Sequence, residues 1–287
     1  MPTIRRINQR IRGIRNIQHI TRAMKLVAAA RLKKAQERLE SARPYARKIA
    51  EVTLDLAALT PWSFNPLLRP HPYSRRAVIV AFTGDRGLCA GYHERVVERC
   101  LAFADTIAAK EKAALYMVGR QGINILQRLG RSCDYYFSES SRGVSFATSK
   151  MLAEKLIAEY VQGRCDGIYL VYAKFYSALS QKPRVFQLLP VDPVLAHQRT
   201  PEGLFLFEPS RKEVLDSILP RYVESEIFRA FLECEAGELG ARMTAMSNAT
   251  DNAGEIISRL ILDYNRARQA QVTREISEII GGAEALR

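Results

Sequence analysis

The chain begins with apolar residues at helical spacing, separated by polar positions that are mostly basic. The apolar positions are Ile4, Ile7, Ile11, Ile14, Ile17, Ile20, Met24 and Val27. Steps of three and four residues are typical of a coiled-coil seam, and the extra steps of three between Ile14 and Ile20 predict a stammer. We expect one helix over residues 2–58, about 85 Å long, with a kink or a local break at Pro44.

The other end of the chain has a second helical pattern over a longer span. After Pro220 no proline follows, and glycines are few before Gly281 and Gly282, so a helix is predicted within 208–287. Its heptad positions are Met246, Thr250, Ala253, Ile257, Leu260, Tyr264, Ala267 and Gln271. Because these residues are mostly small or polar, the seam can pack closely and tolerate water.

Between the two helical segments the periodicity changes. Residues 59–74 contain four prolines and predict a linker. Apolar runs at 77–82 and 113–118 predict buried strands, each followed by a turn with glycine and a helical segment. A further helix at about 144–163 and a pair of strands within 165–191 complete the alternation. This order predicts a small α/β domain over 75–195.

Charge is concentrated at the N-terminus. The 287 residues carry a formal net charge of +13, and residues 1–48 hold fourteen Arg and Lys against two Glu. Such a helix suits nucleic acid, an anionic membrane surface or an acidic protein, although it could also be merely solvated. Residues 1–44 contain no aromatic side chain on which single-stranded bases could stack. An acidic protein surface is therefore the better match, and a basic coiled-coil scaffold or nucleic-acid-associated protein is the alternative.

The stretch FTGDRGLCAGY lies between a predicted strand and a predicted helix, where phosphate-binding loops also lie. It lacks the Gly-Lys-Ser/Thr of a P-loop and the spacing of a dinucleotide-binding fingerprint. A tight turn is therefore favoured over nucleotide binding. The turn residues are Asp85, Arg86, Gly87, Leu88, Cys89 and Gly91.

The sequence offers no candidate catalytic centre, metal site or cofactor site. None of the four histidines has a nucleophile or carboxylate at a recognisable spacing, and the five cysteines contain no CxxC pair. We expect reduced thiols, as in a cytosolic protein. No apolar run approaches the roughly 18 residues that a membrane span requires. An α/β enzyme with helical arms is the one enzymatic alternative.

Three stretches together carry a resemblance to a known family. They are MPTIRRINQRIRGIRNIQHITRAMKLVAAARLKKAQ, DRGLCAGY and ARMTAMSNATDNAGEIISRLILDYNRARQAQVTREISEIIGGAEAL. The chain resembles the gamma subunit of F-type ATP synthases over nearly its whole length. The resemblance implies an α/β protein with a long antiparallel coiled coil of N- and C-terminal helices and a central small Rossmann-like α/β domain. It also implies a non-catalytic rotor shaft that couples ion flow to ATP synthesis or hydrolysis.

The resemblance also implies contact residues and partners. Met24 corresponds to a position facing the acidic levers of the catalytic subunits. Arg268, Gln269 and Thr273 match polar contacts to the catch loops of the beta and alpha subunits. An apolar sleeve would receive Val272, Ile276, Ile279 and Ile280. The implied partners of the single copy are the alpha and beta subunits, the epsilon subunit and the c-subunit ring, with no nucleic acid.

The chain departs from the family pattern in the central motif. The family continues with Gly-Gly, an aromatic residue and Asn, whereas this chain has Ala90, Gly91, Tyr92 and His93. The paired cysteines of chloroplast relatives are absent, so thiol regulation is not expected. The shaft motif starts at Met1, which favours the cytoplasmic face of a bacterial plasma membrane, with peripheral attachment through the complex.

Overall fold

A computed structural model describes residues 4–70, 76–108, 112–138, 144–191, 207–208 and 210–284. The chain divides into two compact units, one formed by residues 1–28 and 243–287 and the other by residues 29–242. Two long helices, α1 (Ile4–Ala58) and α5 (Arg211–Glu284), contribute residues to both units. We call the first the helical unit and the second the sheet unit.

Neither long helix is interrupted by its proline. Helix α1 includes Pro44, and helix α5 includes Pro220. A proline leaves the carbonyl four residues earlier without its helical partner, at positions 40 and 216. Glu40 and Asp216 are both exposed, so water can solvate these carbonyls. The local break considered for Pro44 is therefore absent.

In the helical unit, the start of α1 packs against the C-terminal part of α5. Ile7 and Ile11 form a buried cluster with Leu260, against which Tyr264 and Ala267 also pack. Two polar contacts continue the seam towards the other end. The hydroxyls of Thr21 and Thr250 lie 2.8 Å apart, and Lys25 Nζ donates to Ser247 Oγ at 3.0 Å. As residue numbers rise along α1, the numbers of their partners on α5 fall, so the two helices are antiparallel.

The predicted stammer in α1 is wrong. Ile17, Ile20 and Val27 are 50%, 59% and 53% exposed and lie outside the seam. The seam keeps the predicted positions 7, 11 and 14 and continues through 18, 21, 25 and 28, in an unbroken alternation of four and three, with residues 4, 8 and 24 half-buried beside it. Polar side chains occupy three of the seam positions because α5 supplies their partners. Gln18, for example, donates to the Thr250 carbonyl at 3.4 Å.

The predicted seam of α5 agrees with the structure over most of its length. Its first five positions, from Met246 to Leu260, are buried, and Tyr264 and Ala267 are half-buried. Gln271, the last predicted position, is exposed. Beyond residue 267 every described side chain of α5 is exposed, so the described residues cover no face of this part of the helix.

The sheet unit contains a five-stranded sheet of order β3-β2-β1-β4-β5. Strands β1 to β4 run parallel to their neighbours, and β5 runs antiparallel to β4. The strands are β1 (Arg76–Phe82), β2 (Lys112–Val118), β3 (Tyr135–Phe137), β4 (Gly167–Ser177) and β5 (Ser180–Leu189). The helices between them are α2 (Tyr92–Ala108), α3 (Arg120–Arg128) and α4 (Phe146–Val161). The predicted α/β class is confirmed.

The proline-containing segment after α1 is packed where it is described. It forms a 3-10 helix, Trp62–Phe64, followed by two buried residues, Leu67 and Leu68. Asn65 Nδ2 donates to Asp216 Oδ1 of α5 at 2.7 Å, and the Leu67 carbonyl accepts from the Val191 N–H at 3.2 Å.

Helix α5 is buried on nearly all sides between residues 222 and 242, within the sheet unit. Phe231 packs edge-to-face on Phe82 of β1, with ring centroids 5.0 Å apart. Its charged residues are paired: Glu233 accepts the Phe175 N–H at 2.9 Å, and Arg229 lies 2.5 Å from Glu226. Burial raises the pKa of the Glu226 carboxyl in spite of that arginine.

The revised seam predicts unequal effects for two isoleucines of α1. Ile7→Ala in the full-length chain removes a side chain that is only 4% exposed, so it should destabilise the local pairing by about 2–4 kcal/mol. Ile17→Ala is the control, because its half-exposed side chain lies off the seam and should cost less than about 1 kcal/mol. Hydrogen exchange of α5 amides at 257–264 should accelerate only for Ile7→Ala. If both variants accelerated exchange equally, Ile17 would belong to the seam after all.

Candidate functional site

The glycine-rich turn after β1 has an unusual backbone. Leu88 has a φ of 65° and Ala90 a φ of 49°, in the left-handed region that non-glycine residues seldom adopt. The Asp85 carboxylate accepts the Arg120 N–H at 2.8 Å, and Thr83 Oγ1 accepts the Gly122 N–H at 3.0 Å. The turn is therefore fixed to the start of α3.

Two charged residues of α5, Arg242 and Glu238, pack against this turn. Arg242 Nη2 donates to the carbonyls of Arg86 and Gly87 at 3.2 and 3.1 Å, and it pairs with Glu238. A Cβ at Gly84 would lie 1.7 Å from Glu238 Oε2, so any larger residue there would require that carboxylate to move. A phosphate loop presents N–H groups to its ligand, whereas this turn presents carbonyls to a guanidinium. The geometry favours a structural joint over an anion site.

The departures from the family motif are accommodated within the same turn. Buried His93 accepts the Gly84 N–H through Nδ1 at 3.4 Å, and its Nε2 lies 3.0 Å from the Arg86 carbonyl. Both contacts are satisfied if Nε2 carries the proton, which makes His93 a bridge across the turn. Tyr92 donates from its hydroxyl to the Cys234 carbonyl at 3.2 Å. Ala90 has no such compensation and leaves a strained backbone.

The five cysteines are free and form no disulfide. Burial is the main cause that raises the pKa of Cys89 to about 11 and the pKa values of Cys100 and Cys165 to about 12. A thiol at such a pKa is a poor nucleophile at neutral pH. Among the described residues, no group of His, Cys, Asp and Glu could hold a metal ion.

The helical unit presents basic and apolar side chains to solvent. The exposed arginines of its α1 segment are Arg5, Arg6, Arg10, Arg12, Arg15 and Arg22. None of them forms an ion pair within the described part of the chain. Ile17, Ile20 and Val27 are exposed on the same segment, and Met24 is half-buried. This surface has both charge and apolar area available for a partner.

From residue 268 to residue 277, α5 is exposed around its whole circumference. Arg268 and Gln269 are exposed, and the Thr273 hydroxyl donates back to the Gln269 carbonyl at 3.0 Å. Four exposed residues form an apolar stripe: Val272, Ile276, Ile279 and Ile280. Lys25 pairs with Ser247, so Met24 lies about 30 Å along the helix from Arg268. The predicted contacts thus belong to two separate surfaces.

Comparison with known proteins identifies the family. The family model described as ATP synthase matches residues 3–286. The ATP synthase gamma chain of Heliobacterium modesticaldum is 44% identical, and that of Desulfitobacterium hafniense is 43% identical, with all of each chain covered. The chain belongs to the ATP synthase gamma chain family. This assignment excludes the scaffold and enzyme alternatives. The chain is a central-stalk subunit of a membrane-associated complex, and catalysis in that complex is in the beta subunits.

Solved structures agree with this assignment. A structure of the Tetrahymena thermophila mitochondrial ATP synthase central stalk and c-ring matches with 25% identity and a TM-score of 0.61, covering 80% of this chain and 99% of that chain. A chain of the Euglena gracilis mitochondrial ATP synthase shares the fold, with a TM-score of 0.70 at 17% identity and coverage of 99% and 94%. Within the described residues, no helix is long and apolar enough to cross a membrane.

Sequence reasoning missed the joint between the turn and α5. Arg242 and Glu238 are four residues apart in a stretch that is otherwise rich in small and apolar residues. The (i, i+4) pair of opposite charges was the available signal, because buried charges need partners. It could not indicate that the other partners of Arg242 are carbonyls about 155 residues earlier in the chain.

The strain at Ala90 predicts a stabilising substitution. Left-handed backbone costs an alanine about 1–2 kcal/mol, whereas glycine pays only its larger unfolded-state entropy. Ala90→Gly should therefore raise the free energy of unfolding of the full-length chain by about 0.5–1 kcal/mol, as measured from the urea midpoint. Gly91→Ala is the control, since Gly91 lacks a positive φ and a Cβ there meets no atom within 4 Å. A lower midpoint for Ala90→Gly would contradict the argument.

Proposed function

We propose that the helical unit is the part of the central stalk that turns against the alpha and beta subunits. The observation that carries this proposal is a pair of surfaces on that unit that no described residue covers: the basic face of α1 and the exposed α5 residues beyond Ala267. The sheet unit would serve the epsilon subunit and the c-subunit ring, with one gamma chain in each complex. We place the complex at the cytoplasmic face of a bacterial plasma membrane.

The basic face suits a part that must turn without locking. Exposed arginines attract an acidic surface through forces that vary gradually with distance and need no fixed register. A large complementary apolar patch would instead favour one angular position. The exposed apolar side chains of α1 are few and lie among the arginines, with Met24 half-buried beside them. We infer that this face meets the acidic levers of the catalytic subunits.

The polar pair on α5 suits a transient latch. Arg268 offers a planar guanidinium that can bind a carboxylate through two hydrogen bonds, and the Gln269 amide can both donate and accept. Such contacts contribute about 1.5–3 kcal/mol each at most, enough to bias a dwell without stopping rotation. Thr273 donates its hydroxyl to its own helix and would contribute through its remaining lone pairs.

The apolar stripe further along α5 suits a bearing. Its members recur at steps of four, three and one residue, so they share one face of the helix. All are between 48% and 71% exposed, which is costly for isoleucine and valine unless another surface covers them. We assign this stripe to the apolar sleeve formed by the ring of alpha and beta subunits.

The latch can be separated from the bearing by two variants of the reconstituted complex. Replacing Arg268 and Gln269 with Leu should slow ATP turnover and weaken coupling, while α5 stays helical because leucine favours a helix. Deleting residues 276–287 should be milder, since it shortens the bearing but spares the latch. ATPase rate and ion pumping decide between them. A more damaging deletion would rule out the latch at Arg268 and Gln269.

The lever contact is tested by Met24→Lys. The new charge would lie beside surfaces already paired with basic side chains, changing the contact energy by about 1–3 kcal/mol if the site is partly desolvated. We expect fewer ions pumped per ATP hydrolysed, with assembly intact. Met151→Lys is the matched control, because Met151 is 64% exposed on α4 in the sheet unit. Normal pumping in the Met24 variant would move Met24 away from the lever interface.

A further inference from the structure

A cleft of about 650 Å³ opens at the end of the sheet where the parallel strands begin. It lies within the sheet unit, at the opposite end of the strands from the turn after β1 that contacts Arg242. Three of its lining residues are basic, namely Arg76, Lys112 and Arg164, and one is acidic, Asp134. The remaining lining residues are Ala113, Ala114 and Gly163.

The backbone holds the three basic residues on rigid segments. Arg76 and Lys112 are the first residues of β1 and β2 and are direct partners in the parallel pairing. Arg164 follows α4 in a Schellman motif: its N–H donates to the Glu159 carbonyl at 3.1 Å, and that of Gly163 donates to the Tyr160 carbonyl at 2.9 Å. Gly163 has a φ of 67°, as this helix end requires. The Asp166 N–H donates to the Arg76 carbonyl at 3.0 Å and ties the two segments together.

The described lining residues of the cleft carry three positive charges and one negative charge. None of the three basic side chains forms an ion pair with the residues that the structure describes. Asp134 supplies the one negative charge, and its Oδ2 accepts the Leu115 N–H at 2.8 Å. Glu159, another nearby carboxylate, is occupied by Lys155 at 2.9 Å and the Tyr116 hydroxyl at 2.6 Å. Three like charges on fixed supports repel one another, and an anion between them relieves that repulsion.

We propose that this cleft binds a phosphate group, either from a soluble phosphate ester or from the headgroup of an anionic phospholipid. Two guanidinium groups and one ammonium can surround the oxygens of a phosphate, and the planar arginine forks suit bidentate contacts. The volume exceeds that of a single phosphate and leaves room for its substituent. Among the described residues that line the cleft there is no aromatic ring for a nucleobase to stack on, which favours a polar substituent.

The test uses the full-length chain and two probes, pyrophosphate followed by calorimetry and vesicles followed by co-sedimentation. The cleft variant replaces Arg76, Lys112 and Arg164 with Gln. The control variant replaces Arg31, Lys33 and Lys34 with Gln, which removes the same charge from exposed positions of α1. It is needed because so basic a chain binds any anionic vesicle to some degree. Vesicles contain either phosphatidylglycerol with phosphatidylcholine or phosphatidylcholine alone.

We expect the cleft variant to lose at least about tenfold in affinity, as lost charge-assisted contacts require, while the control retains its affinity. If the cleft variant alone loses affinity for pyrophosphate, a soluble phosphate is enough for binding. If it loses affinity only for vesicles with phosphatidylglycerol, the ligand is the lipid headgroup. The single variant Arg164→Gln should lose about threefold or more in affinity. The Arg164 side chain is exposed and follows the end of α4, so this change should leave the fold intact. Equal losses in cleft and control variants, or no saturable binding of either probe, would overturn the proposal.

Discussion

The two ends of the chain depend on each other for burial. Residues 7 and 11 have no apolar neighbours within their own helix sufficient to cover them, and Leu260 and Tyr264 supply that cover from the far end of the sequence. The contact cannot form until α5 has been made, because Leu260 and Tyr264 follow the whole sheet unit in the sequence. Local helix propensity favours each helix separately, but burial of the shared seam selects the antiparallel pair.

Within the sheet unit, α5 is an internal element rather than an appended one. Phe231 packs on the first strand, Glu233 caps a backbone N–H of the fourth, and Arg242 fills the turn after the first. A helix held at three places by side chains of different chemistry cannot rotate on the sheet without breaking buried polar contacts. Loss of such contacts costs more than loss of exposed ones, since the remaining partner stays desolvated. This attachment suits a protein whose helix and sheet must turn as one.

The periodicity of apolar residues predicted much of the fold, and its errors have a common cause. Both long helices, the α/β alternation and most of the α5 seam followed from the spacing of apolar residues and the positions of proline and glycine. The α1 seam was misassigned because Ile17 and Ile20 look like core residues, whereas Gln18 and Thr21 are the ones covered by α5. A polar residue belongs in a seam only when its partner is present, and Thr250 lies 229 residues away. Arg242 was missed for the same reason, since its carbonyl partners have no side-chain signature.

The hydroxyl pair of Thr21 and Thr250 has one more consequence. Either oxygen can be the donor, and Gln18 adds an amide to the same contact. Hydroxyl and amide groups neither gain nor lose protons across the physiological pH range. A seam joined by ion pairs of His, Asp or Glu would tighten and loosen as the proton concentration changed. These particular cross-links hold their strength through acidification, a useful property in a complex driven by ion flow.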